Sequence, residues 1–148
     1  MAVSDYENTG GAHPNGSMRA LTWDKATGRV VPPAELFAAG ANMAAADKAL
    51  CDALTAAKTE RTGRAEFSGE FTACPRLSQL ELTLLASTTP GKAGGLTALI
   101  SPYQVGPYVE GSYEIDVPLA AFRAALAPAY AGEFDGAPAP KPAATPAG

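Results

Sequence analysis

The sequence predicts an α+β fold: an antiparallel sheet with one helix, about residues 42–58, packed on one face and a short C-terminal helix at about residues 118–127. Three observations carry this. Two segments alternate apolar and polar residues strictly, one intervening segment repeats its apolar residues every three to four positions, and proline and glycine punctuate the chain between them.

Residues 5–17 are polar and glycine-rich (Gly10-Gly11-Ala12-His13-Pro14-Asn15-Gly16) and read as a loop held by its neighbours. Residues 18–23 read as a strand. Asp24-Lys25-Ala26-Thr27-Gly28 offers an aspartate to cap a turn and a glycine to close it, so residues 29–31 return as the partner strand of a hairpin. Pro32-Pro33 suits the first turn of a helix, and residues 34–37 form a short helical turn that stops near Gly40.

Asn42 is a good N-cap for the main helix. Met43, Ala46, Leu50, Ala53, Leu54 and Ala57 share one face, and Lys48, Asp52, Thr55 and Thr59 the other; Cys51 sits at the edge of the apolar face. Residues 66–72, with Phe67 and Phe71, make a weak strand ended by Cys74-Pro75. In residues 79–84, Leu80, Leu82 and Leu84 alternate with Gln79, Glu81 and Thr83, the pattern of a half-buried strand. After the turn at residues 90–95, residues 96–100 form its partner. Residues 112–117 alternate again, with Tyr113, Ile115 and Val117 facing inward. Pro118 then opens the last helix, with Leu119, Phe122 and Leu126 on one face. From Asp135 onward, alanine and proline dominate and cannot build a core, so residues 135–148 read as a disordered tail.

The chain has 148 residues, enough for one modest core. Its net charge is −4 and it contains no run of lysine or arginine. That sets aside nucleic acid, which needs a basic stripe, and an anionic membrane surface. The longest apolar candidate, residues 38–57, is broken by Asn42, Asp47, Lys48 and Asp52, so no membrane span is expected. Residues 1–20 show no basic start followed by an apolar run, which taken literally favours the cytoplasm. The alternative, which we prefer, is that Met1 is a fragment boundary and an export signal lies upstream.

The two cysteines, Cys51 and Cys74, are too few for a Cys-only zinc site and too far apart for a C-x-x-C motif. A disulfide and two separate buried thiols both fit the residues. A bridge would close a loop of about two dozen residues, worth roughly 3 kcal/mol by chain entropy.

Three segments together resemble a known family. They are Tyr6-Glu7-Asn8-Thr9-Gly10-Gly11-Ala12-His13-Pro14-Asn15, then Trp23-Asp24-Lys25-Ala26-Thr27-Gly28 with Glu35-Leu36-Phe37, then Ser101-Pro102-Tyr103-Gln104-Val105-Gly106-Pro107-Tyr108-Val109-Glu110-Gly111. Their order and spacing resemble the C-terminal domain of unknown function of the anti-sigma factor RsiV, also found beside the catalytic module of PdaC-type peptidoglycan deacetylases. The resemblance covers residues 5–134, without the half that usually precedes the glycine-rich segment. It implies a periplasmic or extracellular domain that binds rather than catalyses; in RsiV the ligand is lysozyme. Export in turn implies that Cys51 and Cys74 pair, since an oxidising compartment favours the bridge.

His13 is the single histidine, and no partners are placed in sequence to make a triad or metal site with it, so a structural, hydrogen-bonded role is expected. The loop at residues 101–111 carries Tyr103 and Tyr108 between proline- and glycine-fixed corners. Two readings stand: a preorganised aromatic surface for a ligand, or two rings packed inward as a corner of the sheet. Glu110, Glu114 and Asp116 lie near one another, but Glu114 and Asp116 read as a solvated strand face rather than a glycosidase pair. The expected ligand contacts are therefore Tyr103, Tyr108, Gln104, His13 and Asn15, with no catalytic residue, metal or cofactor. The partner is an unidentified protein or cell-wall component. A cell-wall hydrolase and a purely structural accessory domain are the competing functions.

Overall fold

The computed structural model describes residues 2–7, 15–63, 73–102, 104–106 and 110–140. It is α+β, as the sequence predicts. The centre is a three-stranded antiparallel sheet in the order β5 (Glu81–Ala86), β6 (Ala93–Ile100), β7 (Tyr113–Pro118). Its inner face carries Leu82, Leu96, Ala98, Ile115 and Val117 onto the helix α1 (Ala44–Thr62), which contributes Ala46, Leu50 and Leu54. Ahead of these come two hairpins, β1 (Ala2–Glu7) with β2 (Asn15–Ala20), and β3 (Trp23–Asp24) with β4 (Arg29–Val30). The predicted strand at residues 18–23 is thus divided between β2 and β3. The expected weak strand at residues 66–72 lies outside the described residues.

Local chemistry explains each boundary. In the β3–β4 hairpin, Asp24 Oδ1 accepts from the N–H groups of Ala26 (2.9 Å) and Thr27 (3.3 Å), and Gly28 takes φ 67°. The N-cap position falls to Met43 rather than to Asn42; Asn42 Oδ1 lies one residue ahead of it and accepts from the Ala44 N–H at 3.0 Å. The helix outruns the expected end at Lys58 by one turn, because Gly63 takes φ 76° and closes it from Gly63 N–H to the Thr59 carbonyl at 2.8 Å.

Cys51 and Cys74 form a disulfide with Cα atoms 5.6 Å apart, tying α1 to the chain that enters β5. Asp47 Oδ1 adds a second tie by accepting from the Leu77 N–H at 2.9 Å.

Several expectations need correction. Residues 5–7 and 15–17, read as loop, lie in the paired strands β1 and β2, because the turn between them is shorter than the glycine-rich segment suggested. Leu80 and Leu82 are buried, but Leu84 is 51% exposed. It sits on the edge strand, and the opposite face of the sheet is itself buried in part, at Leu85 and Leu99. Strand β6 begins at Ala93 rather than Leu96, because Gly94 and Gly95 extend the strand instead of closing a turn; at Gly95 a side chain would collide with the Val117 carbonyl. Residues 118–127 form two 3-10 turns, Leu119–Ala121 and Arg123–Ala125, and the short C-terminal helix follows as α2 (Pro128–Ala131). Phe122 nevertheless packs inward, edge-to-face with Phe37 at 6.1 Å and Phe134 at 5.7 Å.

Candidate functional site

The loop at residues 101–111 joins β6 to β7, and the end of α1 holds it from beneath. Lys58 follows Leu50 and Leu54 at four-residue intervals, so it lies on the stripe that faces the sheet and is only 3% exposed. A buried ammonium is tolerated only when its protons are engaged. Lys58 Nζ donates to Glu110 Oε1 at 2.7 Å and to the Val105 carbonyl at 2.9 Å. Glu110 Oε1 also accepts from the Tyr113 hydroxyl at 2.7 Å. One turn beyond Lys58, Arg61 Nη1 donates to the carbonyls of Glu110 and Ser112, both at 2.7 Å. Its guanidinium lies 4.0 Å from the centre of the Tyr113 ring.

The electrostatics agree with this geometry. Burial alone would raise the Glu110 carboxyl, but the hydrogen bonds from Lys58 and Tyr113 and the charges of Lys58 and Arg61 outweigh it and hold the group below its ordinary value. Tyr113 moves the other way. Burial, the bond to Glu110 and the Glu110 charge push its hydroxyl up to about 12, so it stays protonated and donating at neutral pH. Gly106 completes the arrangement, since a Cβ there would run into the Glu110 carboxylate. The cluster therefore ties the loop to the helix at Val105 in its middle and at Glu110 and Ser112 at its close.

The opening corner is fixed separately. The Ser101 N–H donates to Gln104 Oε1 at 3.0 Å, the Gln104 N–H returns to the Ser101 carbonyl at 3.2 Å, and Ser101 Oγ accepts from the Met18 N–H of β2 at 2.8 Å. Gln104 is exposed at this corner. Of the other expected ligand residues, Asn15 opens β2 opposite Glu7. His13, Tyr103 and Tyr108 lie outside the described residues. Glu110 stands apart from the other two acids: it turns into the cluster, while Glu114 and Asp116 share the outer face of β7, Glu114 exposed and Asp116 accepting from Thr97 Oγ1 at 2.7 Å.

Sequence reasoning missed Lys58 and Arg61. The signal was present, because a lysine on an otherwise apolar stripe requires a buried partner, and Glu110 is the acid within the 101–111 loop. Trp23 was also missed as a surface feature: it stands 54% exposed on the first short hairpin, paired across the strands with Val30.

No protein-family model and no curated protein matches the chain. Solved structures are similar to it, two of them DUF3298 family proteins. One is a DUF3298 family protein from Pseudomonas aeruginosa PAO1, with a TM-score of 0.63 and 20% identity over 91% of this chain and 56% of that one. The other is a DUF3298 family member from Bacteroides fragilis NCTC 9343, with a TM-score of 0.66 and 23% identity over 89% of this chain and 50% of that one. The likeness is one of fold. The chain spans about half the length of both neighbours. Among the described residues, no helix is long and apolar enough to cross a membrane.

Proposed function

We propose that this chain is a non-catalytic recognition domain of the bacterial envelope, and that the loop at residues 101–111 is its ligand-contacting element. The observation that carries the reading is the buried Lys58–Glu110 pair, whose hydrogen bonds hold Val105 and Glu110 of that loop to α1. A loop held from inside at these points has less freedom to lose on binding, which favours recognition by a loop on a scaffold. The Cys51–Cys74 bridge supports an oxidising compartment. The resemblance to the C-terminal domain of RsiV supports a protein or cell-wall ligand over a small metabolite.

The test is binding of the oxidised chain to immobilised lysozyme and to purified peptidoglycan sacculi. Saturable binding to one of them is expected, with Tyr103→Ala and Tyr108→Ala each weakening it by more than about 1 kcal/mol. Their melting temperatures should stay close to that of the parent chain. Binding to neither probe, or binding indifferent to both substitutions, would overturn the reading. Release of soluble fragments from the sacculi would overturn its non-catalytic part.

A further inference from the structure

Arg61 is engaged along one side of its guanidinium. Nη1 donates to the carbonyls of Glu110 and Ser112 at 2.7 Å each, with Gly111 between them at φ 74°, and the guanidinium carbon stands 4.0 Å over the centre of the Tyr113 ring. Two carbonyls and a ring face together fix the plane of the group. A guanidinium carries five N–H donors in a rigid fork. The other three, on Nε and Nη2, make no hydrogen bond among the described residues, and Arg61 is exposed. Holding two carbonyls takes only two protons, which a lysine supplies, so the second edge of the fork is surplus to that task.

The charge is surplus as well. Lys58 and Glu110 neutralise each other at 2.7 Å, and Arg61 makes no salt bridge among the described residues. The acids adjoining the cluster in sequence turn elsewhere. Glu60, one residue before Arg61, projects about 100° round the helix from it, and Glu114 lies on the face of β7 opposite to Tyr113. Two cations against one carboxylate thus stand at the close of the 101–111 loop, in a chain whose net charge is −4.

We propose that the outer edge of Arg61, Nε with Nη2, is a preformed site for the carboxylate of a peptidoglycan stem peptide. The proposal rests on the recognition reading and names the ligand group met at that loop. A planar fork takes a carboxylate through two parallel hydrogen bonds, and its orientation is already fixed before the ligand arrives. The sign of the charge selects the ligand. A basic protein drawn to this acidic chain would meet its carboxylates, for which Arg61 has the wrong sign. Stem peptides end in free carboxylates on short, flexible arms that can reach a single fixed guanidinium.

The test compares binding of the full, oxidised chain to purified sacculi and to sacculi whose carboxylates have been converted to amides with carbodiimide and ammonia. The parent should bind the untreated sacculi at least about tenfold more tightly. Amidation removes negative charge, which by long-range repulsion alone would strengthen binding of an acidic chain, so a loss reports a specific contact. Arg61→Gln should bring the ratio between the two forms close to one, whereas a loop that had merely slackened would weaken both alike and keep the ratio. Arg61→Lys, which keeps the charge and loses the fork, should lower the ratio too, and serves as the test should Arg61→Gln fail to fold. Equal binding of both forms by the parent, or a ratio that persists in the variants, refutes the carboxylate site and leaves the loop reading standing. Binding to lysozyme alone also refutes it, since the ligand would then be a protein. Binding to neither probe refutes both.

Discussion

Replacing Glu110 by alanine tests the cluster directly. In the parent chain the Lys58 ammonium, 3% exposed, rests on Glu110 Oε1 and the Val105 carbonyl, and the Glu110 side chain is itself 11% exposed. Removing one partner of a buried pair costs about 3–5 kcal/mol, mostly because the other charge stays buried. Val105 still accepts one proton of Lys58, so the expected loss lies near the lower bound, about 3 kcal/mol. For a domain of this length that corresponds to a drop of about 6–12 °C in melting temperature. Denaturant unfolding followed by circular dichroism, with the disulfide intact, measures it, provided the slope with denaturant is unchanged. Adding Lys58→Met should restore part of the loss, giving a coupling energy of at least about 1 kcal/mol. A loss below about 1 kcal/mol for Glu110→Ala, or strict additivity of the two substitutions, would refute the account of Lys58 as a buried, loop-fastening charge.

Three further outcomes follow from the structure. Tyr113 is raised from 10.0 to about 12, so the stability it lends is complete below pH 10 and is lost as the pH rises toward 12; Tyr113→Phe should flatten that alkaline limb in a melting-temperature profile. Glu110 is lowered from 4.5, so its contribution is present above that pH and lost on acidification through the lower folded value, and Glu110→Gln should remove that acid limb. Cys51→Ala/Cys74→Ala should cost about 3 kcal/mol, and a reducing agent should reproduce that loss in the parent chain and do nothing to the variant, by the same unfolding assay.

The legible parts of the fold were those in which one local rule acted alone. Residues 112–117 alternate in sequence, and β7 buries Tyr113, Ile115 and Val117 while Glu114 stays exposed. Asp24 and Gly28 closed their hairpin by side-chain capping and positive φ, which need no tertiary context. The alternation failed at Leu84 because period two identifies a face and says nothing of how far the covering helix reaches along an edge strand. Residues 135–140, the described part of the expected tail, depart from it for a different reason. Their composition rules out a core, but they need none, because backbone hydrogen bonds hold them to Ala86 and Thr88 at the end of β5 and two glycines allow the close approach. Lys58 lay in plain view, four residues after Leu54 on the Leu50–Leu54 stripe, but its partner Glu110 is 52 residues away and periodicity says nothing of such a pair. The site residues drawn from the family resemblance were the least accessible to periodicity, since irregular loops have none.

A methionine at position 58 would fill a similar volume without desolvating a charge, so the lysine is not explained by core stability. Its difference lies in direction. An ammonium accepts only geometries in which its protons meet oxygens, and here those oxygens belong to Val105 and Glu110, five residues apart in one loop. A sliding of the loop by one residue would leave the charge without one of them, at a cost of several kcal/mol, whereas a methionine would tolerate the slide. The Tyr113 hydroxyl and Arg61 add two more directional ties to the same short stretch, and Gly106 is the residue small enough to let the Glu110 carboxylate reach them. Buried charge is thus used here to select one loop conformation over its neighbours, where apolar packing would select only its burial.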